Sequence, residues 1–78
     1  MHFVYLLKLS NQQYYVGQTS DVFRRLKYHQ AGRVPSTAKF STKELVWYAA
    51  FQDKQTASAF EKYLKSSAGK AFRNKHLL

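Results

Sequence analysis

Two short apolar stretches open the chain, with a polar turn between them. In the first, His2–Leu9, apolar side chains occupy both sets of alternate positions, which is typical of a central strand covered on both faces. The second stretch, Gln13–Gln18, is again rich in residues that favour strands. Because the polar connection is so short, we expect the two strands to form an antiparallel hairpin. A glycine inside the second strand, Gly17, indicates a bulge, a bend or a close backbone approach.

A helix is predicted directly after the hairpin. Its start is polar, with Thr19 or Ser20 as the expected N-cap and Asp21 suited to the positive end of the helix dipole. The helix runs to about Gln30 and stops before Gly32. Its expected buried stripe consists of Val22, Phe23 and Leu26.

The second half of the chain is predicted to contain one further strand and two further helices. A basic, polar connector over residues 31–43, with Phe40 as its apolar anchor, leads into a third strand, Glu44–Phe51. Asp53 stands in the N-cap position of a helix over Thr56–Ser66, whose apolar residues recur with helical spacing. Residues 66–69 are predicted to break the helix before a short basic helix, Lys70–His76.

These elements follow the order β-β-α-β-α-α. They predict an α/β fold of the α+β kind, in which a small, mainly antiparallel three-stranded sheet is flanked by helices. A chain of 78 residues has room for one domain, which we place over residues 1–78.

Charge narrows the range of partners. Thirteen Lys and Arg face four Asp and Glu, a formal net charge of +9, and such a field favours polyanions, above all nucleic acid. An anionic membrane surface is the alternative, but no long basic amphipathic helix supports it. The chain has no cysteine, no apolar run long enough to span a bilayer and no signal-peptide pattern, so a cytoplasmic location is expected.

A few side chains have the chemistry that phosphodiester hydrolysis requires. That reaction needs a cation at the phosphate, a group that helps to deprotonate water, and commonly a divalent metal ion held by a carboxylate. Arg25 is the candidate cation, and Tyr5, Tyr15 or His29 is the candidate for proton transfer. Glu61 is the candidate metal ligand, with Glu44 as the competing carboxylate.

Each candidate also has an ordinary structural explanation. Tyrosines are common packing residues in strands, and an arginine on a basic helix often makes nonspecific phosphate contacts. A histidine near a helix C-terminus is favoured by the helix dipole, and Glu61 can simply pair with Lys65 one turn later. From composition and periodicity alone, the chain is a small basic α/β domain that binds nucleic acid.

Taken together and in order, the same residues resemble a known family. The chain is similar over residues 2–77 to the GIY-YIG endonuclease domain in a minimal bacterial form, such as the N-terminal nuclease domain of the excinuclease C subunit. The two motif tripeptides correspond to Phe3-Val4-Tyr5, where only the tyrosine is kept, and to the more faithful Tyr15-Val16-Gly17. Arg25 and His29 stand where the family has its helix arginine and, often, a histidine or tyrosine. The segment Glu61-Lys62-Tyr63-Leu64-Lys65 resembles the context of the metal-binding glutamate.

The resemblance implies a mechanism with one divalent ion, Mg²⁺ or Mn²⁺. Glu61 would ligate the ion, and Arg25 would stabilise the charged transition state. Tyr5 or Tyr15 would orient or deprotonate the attacking water, with His29 as an alternative base. The residues expected to hold the nucleic-acid backbone are Arg24, Lys27, Arg33, Lys39, Lys70 and Arg73.

This sequence departs from the family pattern at two points. Some relatives carry a lysine just after the second motif, whereas this chain has Gln18. Many relatives have an asparagine near the last helix, with a structural role or at the border of the site; Asn74 is the candidate here, and its spacing assigns it no role.

The resemblance implies a DNA endonuclease of low sequence specificity, acting on DNA structure in repair or recombination, with specificity supplied by a partner protein. The alternatives are a module that binds DNA or RNA without cutting it, and a small ribosome-associated or RNA-binding protein.

Overall fold

A computed structural model describes residues 1–41 and 43–78 of the chain; Thr42, within the predicted basic connector, lies outside the described residues. The elements are the strands β1 (His2–Leu9), β2 (Tyr14–Thr19) and β3 (Lys43–Phe51) and the helices α1 (Val22–Gln30), α2 (Lys54–Lys65) and α3 (Ser67–His76). Their order along the chain is the predicted β-β-α-β-α-α. Within this part of the chain, no helix is both long and apolar enough to cross a membrane.

The sheet is antiparallel throughout, with β1 between β2 and β3. The apolar residues on both faces of His2–Leu9 therefore predicted its central place correctly. In the hairpin, Tyr5 lies opposite Gly17, and Leu7 lies opposite Tyr15. Tyr5 and Tyr15 are thus diagonal neighbours on one face of the sheet, a distance that two aromatic side chains bridge easily.

Helices cover both faces of the sheet. On one face, Val4, Leu6 and Val16 form a cluster with two buried residues of α2, Ala57 and Leu64. On the other face, Tyr5, Leu7 and Leu9 pack against side chains from α1, β3 and the connector; these are Leu26, Leu45 and Phe40. The pleat of β1 sends alternate side chains to opposite faces, so the hydrophobic residues of one strand serve both layers.

Aspartates cap both of the first two helices. Asp21 is itself the N-cap of α1 and accepts a hydrogen bond from the Arg24 backbone N–H at 3.1 Å, so the prediction of Thr19 or Ser20 as the cap was wrong. Asp53 is the N-cap of α2, as predicted. Hydrogen bonds from Thr56 to its carboxylate lower the pKa of Asp53. Two of the four acidic residues thus serve helix starts.

The junction of α2 and α3 is tighter than the sequence indicated. We expected residues 66–69 to separate the helices, but Ser66 alone does so, and it caps α3 by accepting a hydrogen bond from the Gly69 N–H at 3.1 Å. A Cβ on Gly69 would lie 1.7 Å from the Tyr63 carbonyl oxygen. Here glycine is required for close packing, so the residue that was interpreted as a helix breaker lies inside α3.

Phe23 was placed in the buried stripe of α1, and this was wrong. Its side chain is 60% exposed, whereas Val22 is buried. Phe23 instead lies edge-on to Tyr48 of β3, with ring centroids 5.9 Å apart. Residues 22 and 23 are about 100° apart around a helix, so a helix that packs by a narrow stripe cannot bury both fully.

The connector between α1 and β3 packs against the domain more closely than its polar composition suggested. Phe40 is half-buried as expected, but Val34 and Thr37 are buried as well. The backbone N–H of Thr37 donates to the Val34 carbonyl at 3.0 Å, which closes a tight turn. This turn brings the Thr37 hydroxyl against α1.

Candidate functional site

A buried chain of hydrogen bonds links β1, α1 and the connector. The Tyr5 hydroxyl is 2.8 Å from His29 Nε2, and His29 Nδ1 is 2.7 Å from the Thr37 hydroxyl oxygen. Tyr5 is 2% exposed, and His29 and Thr37 are fully buried. The Thr37 hydroxyl also lies 3.5 Å from the Val34 carbonyl, to which it can only donate. We infer that His29 Nδ1–H donates to the Thr37 hydroxyl oxygen, leaving Nε2 to accept a hydrogen bond from the Tyr5 hydroxyl.

The surroundings keep this histidine neutral. Burial, assisted by the positive charges of Arg25 and Lys43, lowers the pKa of His29 to about 4. Burial also raises the pKa of Tyr5 to about 12, although the neighbouring Arg25 guanidinium opposes that change. At neutral pH the resting pair is therefore an uncharged imidazole and an uncharged phenol.

Acid should weaken the fold through His29. The unfolded chain takes up a proton at the ordinary pKa of 6.5, whereas the folded chain resists until about pH 4. Since the unfolded state then binds more protons, we expect the free energy of unfolding to fall as the pH drops from 6.5 to 4, by roughly 2–4 kcal/mol over the whole window. Urea unfolding at a series of pH values measures this slope.

A matched pair of variants isolates the contribution of His29. His29→Gln should lose the slope between pH 6.5 and 4, whereas His76→Gln, at an exposed position, should keep it. An unchanged slope in the His29 variant would show that His29 takes up its proton as readily in the folded chain as in the unfolded chain.

Gly17 leaves the space that Tyr5 occupies. A Cβ at residue 17 would lie 2.3 Å from both Cζ and the hydroxyl oxygen of Tyr5. The phenol therefore lies across the backbone of β2, where any other residue would have a side chain. Of the three explanations offered for Gly17, a close approach applies, and the approaching group is the side chain of the other motif tyrosine.

Tyr15 completes an aromatic cluster around His29. Its ring centroid is 5.1 Å from that of His29 and 6.2 Å from that of Tyr5. Unlike Tyr5, it is only half-buried. Its hydroxyl has no hydrogen-bond partner among the described residues. Tyr15 is thus the tyrosine of this cluster that a solvent molecule can reach.

Arg25 is half-buried at the rim of this cluster. It and His29 share a face of α1, as their four-residue spacing predicted. Its charge acts on both Tyr5 and His29, so the guanidinium lies close to both. Arg25 also lines a shallow cavity of about 200 Å³ at the start of α1, together with Thr19, Asp21 and Arg24. An anion entering that cavity would meet two arginines at the edge of the tyrosine cluster.

Glu61 lies on α2 and reaches the edge strand β2. One carboxylate oxygen accepts a hydrogen bond from Gln18 Nε2 at 3.1 Å, and the other is 2.8 Å from Lys65 Nζ. Its side chain is 22% exposed and borders an open cavity of about 360 Å³. Its negative charge also contributes to the raised pKa of Tyr5. Helix α2 covers the face of the sheet opposite to Tyr5. The expected pair of Glu61 with Lys65 is present, and the place of Glu61 in the site stays a prediction.

The donor set around Glu61 determines what kind of ion it can hold. Within residues 1–41 and 43–78 there is no group of three or more His, Cys, Asp or Glu side chains arranged for a metal. A tightly caged ion such as structural zinc does not fit. Mg²⁺ fits, because it is commonly bound by one or two carboxylates and completes its shell with water and phosphate oxygens. Glu44, the competing carboxylate, is exposed at the start of β3.

The cations predicted to hold nucleic acid occupy two kinds of position. Five of them are exposed: Arg24, Lys27, Arg33, Lys39 and Lys70. Arg24 donates from Nε to the Tyr28 hydroxyl at 3.1 Å. Arg73 differs, because it is 8% exposed and its guanidinium lies 5.7 Å from the centre of the Tyr14 ring. The sequence had indicated a freely exposed cation on a basic helix, but Arg73 is buried.

Two residues of this arrangement escaped the sequence interpretation. Gln18 was noted only as a departure from lysine, yet it positions the Glu61 carboxylate and also donates to Ser58 at 3.0 Å. Gln18 lies two residues after Val16 in β2, so both side chains point to the α2 face. This spacing is what the sequence offers to predict the contact with α2. Thr37 has no such signal, because neither its periodicity nor its polar neighbours distinguish it.

Comparison with known proteins gives a consistent result. The family model described as the GIY-YIG catalytic domain matches residues 1–75. The chain is 33% identical over 66 residues to the UPF0213 protein HQ_3675A of Haloquadratum walsbyi, covering 83% of this chain and 74% of that protein. It is 32% identical over 65 residues to the UPF0213 protein YazA of Bacillus subtilis, covering 82% and 66%.

A solved structure agrees with these sequence matches. The solution NMR structure of the UPF0213 protein BH0048 from Bacillus halodurans superimposes with a TM-score of 0.60 at 32% identity, over 95% of this chain and 82% of that one. The range matched by the family model, residues 1–75, contains both motif tyrosines, Arg25 and Glu61. The chain belongs to the GIY-YIG catalytic domain family, a family of nucleases.

Proposed function

We propose that this protein is a divalent-metal-dependent endonuclease that hydrolyses phosphodiester bonds in DNA with little sequence specificity of its own. The observation that carries the proposal is the position of Arg25, a half-buried cation beside the coupled Tyr5 and His29 side chains. A purely structural arginine on a basic helix has no need of that environment. A DNA phosphate at Arg25 would lie at the aromatic cluster of Tyr5, Tyr15 and His29.

Arg25 is proposed to bind the scissile phosphate and to stabilise the charge that develops there. A guanidinium donates two parallel hydrogen bonds to phosphate oxygens, which orients the group as well as neutralising it. Because Arg25 is half-buried, its interaction is screened less than that of the exposed cations of α1.

Tyr15 is proposed to hold the attacking water. It is half-buried, and its hydroxyl is not engaged by other described side chains. Tyr5 and His29 are assigned a positioning role, since both are buried, they bond to each other, and the second nitrogen of His29 bonds to Thr37. With a pKa of about 12 for Tyr5 and about 4 for His29, proton transfer within this pair is strongly unfavourable. The pair is better suited to fixing the rings beside Tyr15 and Arg25.

Glu61 is proposed to hold the divalent ion. Such an ion, when bound, neutralises phosphate charge and makes a coordinated water more acidic. Gln18 keeps the carboxylate pointed towards β2 through its 3.1 Å hydrogen bond. Lys65, whose side chain is 55% exposed, can leave the carboxylate at little cost, because exposed ion pairs contribute only about 0–1 kcal/mol.

The charge distribution supports DNA as the substrate. The exposed cations of α1, the connector and α3 can contact backbone phosphates without reading bases. The small size of the domain is consistent with specificity that comes from DNA structure or from a partner protein. The pair of Glu61 with Lys65 at 2.8 Å is the observation that favours the second candidate, a module that binds DNA or RNA without cutting it.

A nicking assay on supercoiled plasmid tests the proposal. We expect cleavage with Mg²⁺ or Mn²⁺ that stops on chelation, and a loss of about 100-fold or more in Arg25→Gln, since removing one such electrostatic group typically costs 10²–10³ in rate. Lys54→Gln is the control for the loss of one positive charge, because Lys54 is exposed at the start of α2 and lines none of the cavities. Equal losses in both variants would mean that general charge, and not the position of Arg25, supports the activity. DNA binding without cleavage under any metal would favour the binding module.

A further inference from the structure

Arg73 is an unusual arginine for a protein of this charge. It is 8% exposed, and its Nε atom is buried with no hydrogen-bond partner among the described residues. No carboxylate lies within ion-pair distance of it in residues 1–41 and 43–78. Of the four acids, two cap helices and Glu61 is already paired with Lys65. A buried guanidinium without a counter-charge is costly, and buried charges are normally paired.

The contact that Arg73 does make is too weak to explain its burial. Its guanidinium lies 5.7 Å from the centre of the Tyr14 ring, a cation–π distance that stabilises a charge only modestly. None of the described residues accepts a hydrogen bond from the buried Nε, so this group lacks an acceptor.

A cavity of about 440 Å³ lies at this position, between the start of β2 and the helices α2 and α3. Arg73, Lys65 and Lys70 line it together with Tyr14, and no acidic side chain does. Its volume falls within the range of small-molecule sites and exceeds what a simple inorganic anion needs. Three cations and an aromatic face in one cavity suit a phosphate that carries a sugar.

We propose that this cavity binds a phosphate group of a nucleic-acid strand, with Arg73 as its buried anchor and Lys65 and Lys70 at its rim. It is a second anion site, separate from the one at Arg25, because the two cavities share no lining residue. Tyr15 and Lys65 both line it, and Lys65 also pairs with Glu61. A strand crossing the edge of β2 would therefore be held at Arg73 and presented to the tyrosine cluster. The assignment of nucleic acid rests on the proposed function; the anion site itself rests on Arg73.

Thermal unfolding without divalent metal tests the anion site. Wild-type protein should unfold several degrees higher in inorganic phosphate than in chloride of equal ionic strength and pH, because a ligand that binds only the folded state stabilises it. Arg73→Met should lose this increment and be at least as stable as wild type in chloride, since an unpaired buried charge has been removed. Lys75→Gln, exposed on the same helix, removes one charge and should keep the increment.

Two results would overturn the assignment of the anion site to this cavity. If Arg73→Met keeps the phosphate increment, or if Arg25→Gln alone abolishes it, the cavity is not the site. Should Arg73→Met fail to fold, Lys70→Gln takes its place, with a reduced increment expected and an unchanged one overturning the proposal.

Binding of fluorescent single-stranded oligonucleotides identifies the source of the phosphate. Affinity should fall by about tenfold or more in Arg73→Met, as for the loss of a charge-assisted hydrogen bond. A fall only for 5′-phosphorylated strands indicates a terminal phosphate, and an equal fall for unphosphorylated strands indicates a backbone phosphate. No fall for any strand overturns the nucleic-acid assignment. Cleavage is not measured in either experiment, so an inactive protein can still show the site, and an active one can still lack it.

Discussion

Replacing Glu61 with glutamine should abolish DNA cleavage while leaving the fold intact. We expect a loss of at least about 100-fold in nicking rate, because the variant removes the carboxylate proposed to hold the divalent ion. The side-chain amide of the new residue can still accept the hydrogen bond from Gln18, so the shape of the site should persist. The lost pair with Lys65 should change stability by no more than about 1 kcal/mol, since Lys65 is largely exposed.

Glu44→Gln is the matched control for this result. It makes the same change of charge at an exposed carboxylate on β3, and we expect its nicking rate to equal that of wild type. DNA binding in both variants should be as tight as in wild type or tighter, since each gains net positive charge. Retained cleavage in Glu61→Gln, or its loss in Glu44→Gln, would show that the metal ion is not held by Glu61 of α2.

Replacing Gly17 with alanine should damage both stability and cleavage. The new Cβ would lie 2.3 Å from the Tyr5 hydroxyl, and Tyr5 cannot simply swing aside, because its ring is buried and its hydroxyl is bonded to His29 at 2.8 Å. Tyr5 must therefore move as a whole and break that bond. Overpacking of this kind costs about 1–3 kcal/mol, and a buried His29 nitrogen left without a partner adds about 1–3 kcal/mol. Urea unfolding and the nicking assay measure the two effects.

Two comparisons make this prediction specific. Gly32→Asn changes a glycine with φ of 73° and nothing near its missing side chain, a backbone position that asparagine tolerates, so cleavage should be unchanged. Gly17→Ala and Tyr5→Phe should be strongly non-additive in stability, because both remove the Tyr5–His29 bond. Additive effects would mean that alanine at residue 17 acts without moving Tyr5.

The order of elements and the place of β1 followed from the sequence because their signals are local. Apolar residues on both faces of His2–Leu9 marked a central strand, and a short polar connection marked a hairpin. Boundaries were less accurate where a single side chain decides them. Asp21 took the capping role expected of its neighbours, and Ser66 alone separated the last two helices. Such choices depend on which side chain reaches a free N–H, and spacing does not show this.

The ordered set of Tyr5, Tyr15, Arg25 and Glu61 was visible in the sequence as a family resemblance, and the match over residues 1–75 confirmed the family. Their roles stay predictions. What the set could not show was its division into exposed and buried members. Tyr5 and His29 are buried, whereas Tyr15 and Arg25 are half-exposed. This division is decided by the packing of α1 and the connector, which lie far from Tyr5 along the chain.

By itself, the sequence determined the alternating pattern that makes a three-stranded sheet with helices on both faces, the excess of positive charge, and the family. Only the tertiary structure decided that Thr37 supports His29, that Gln18 positions Glu61, and that Arg73 is a buried cation with an open cavity beside it. The physical reason is the same in each case. Hydrogen bonding and burial depend on residues that are distant in sequence, and a residue's own neighbours in the chain carry no record of which distant group will face it.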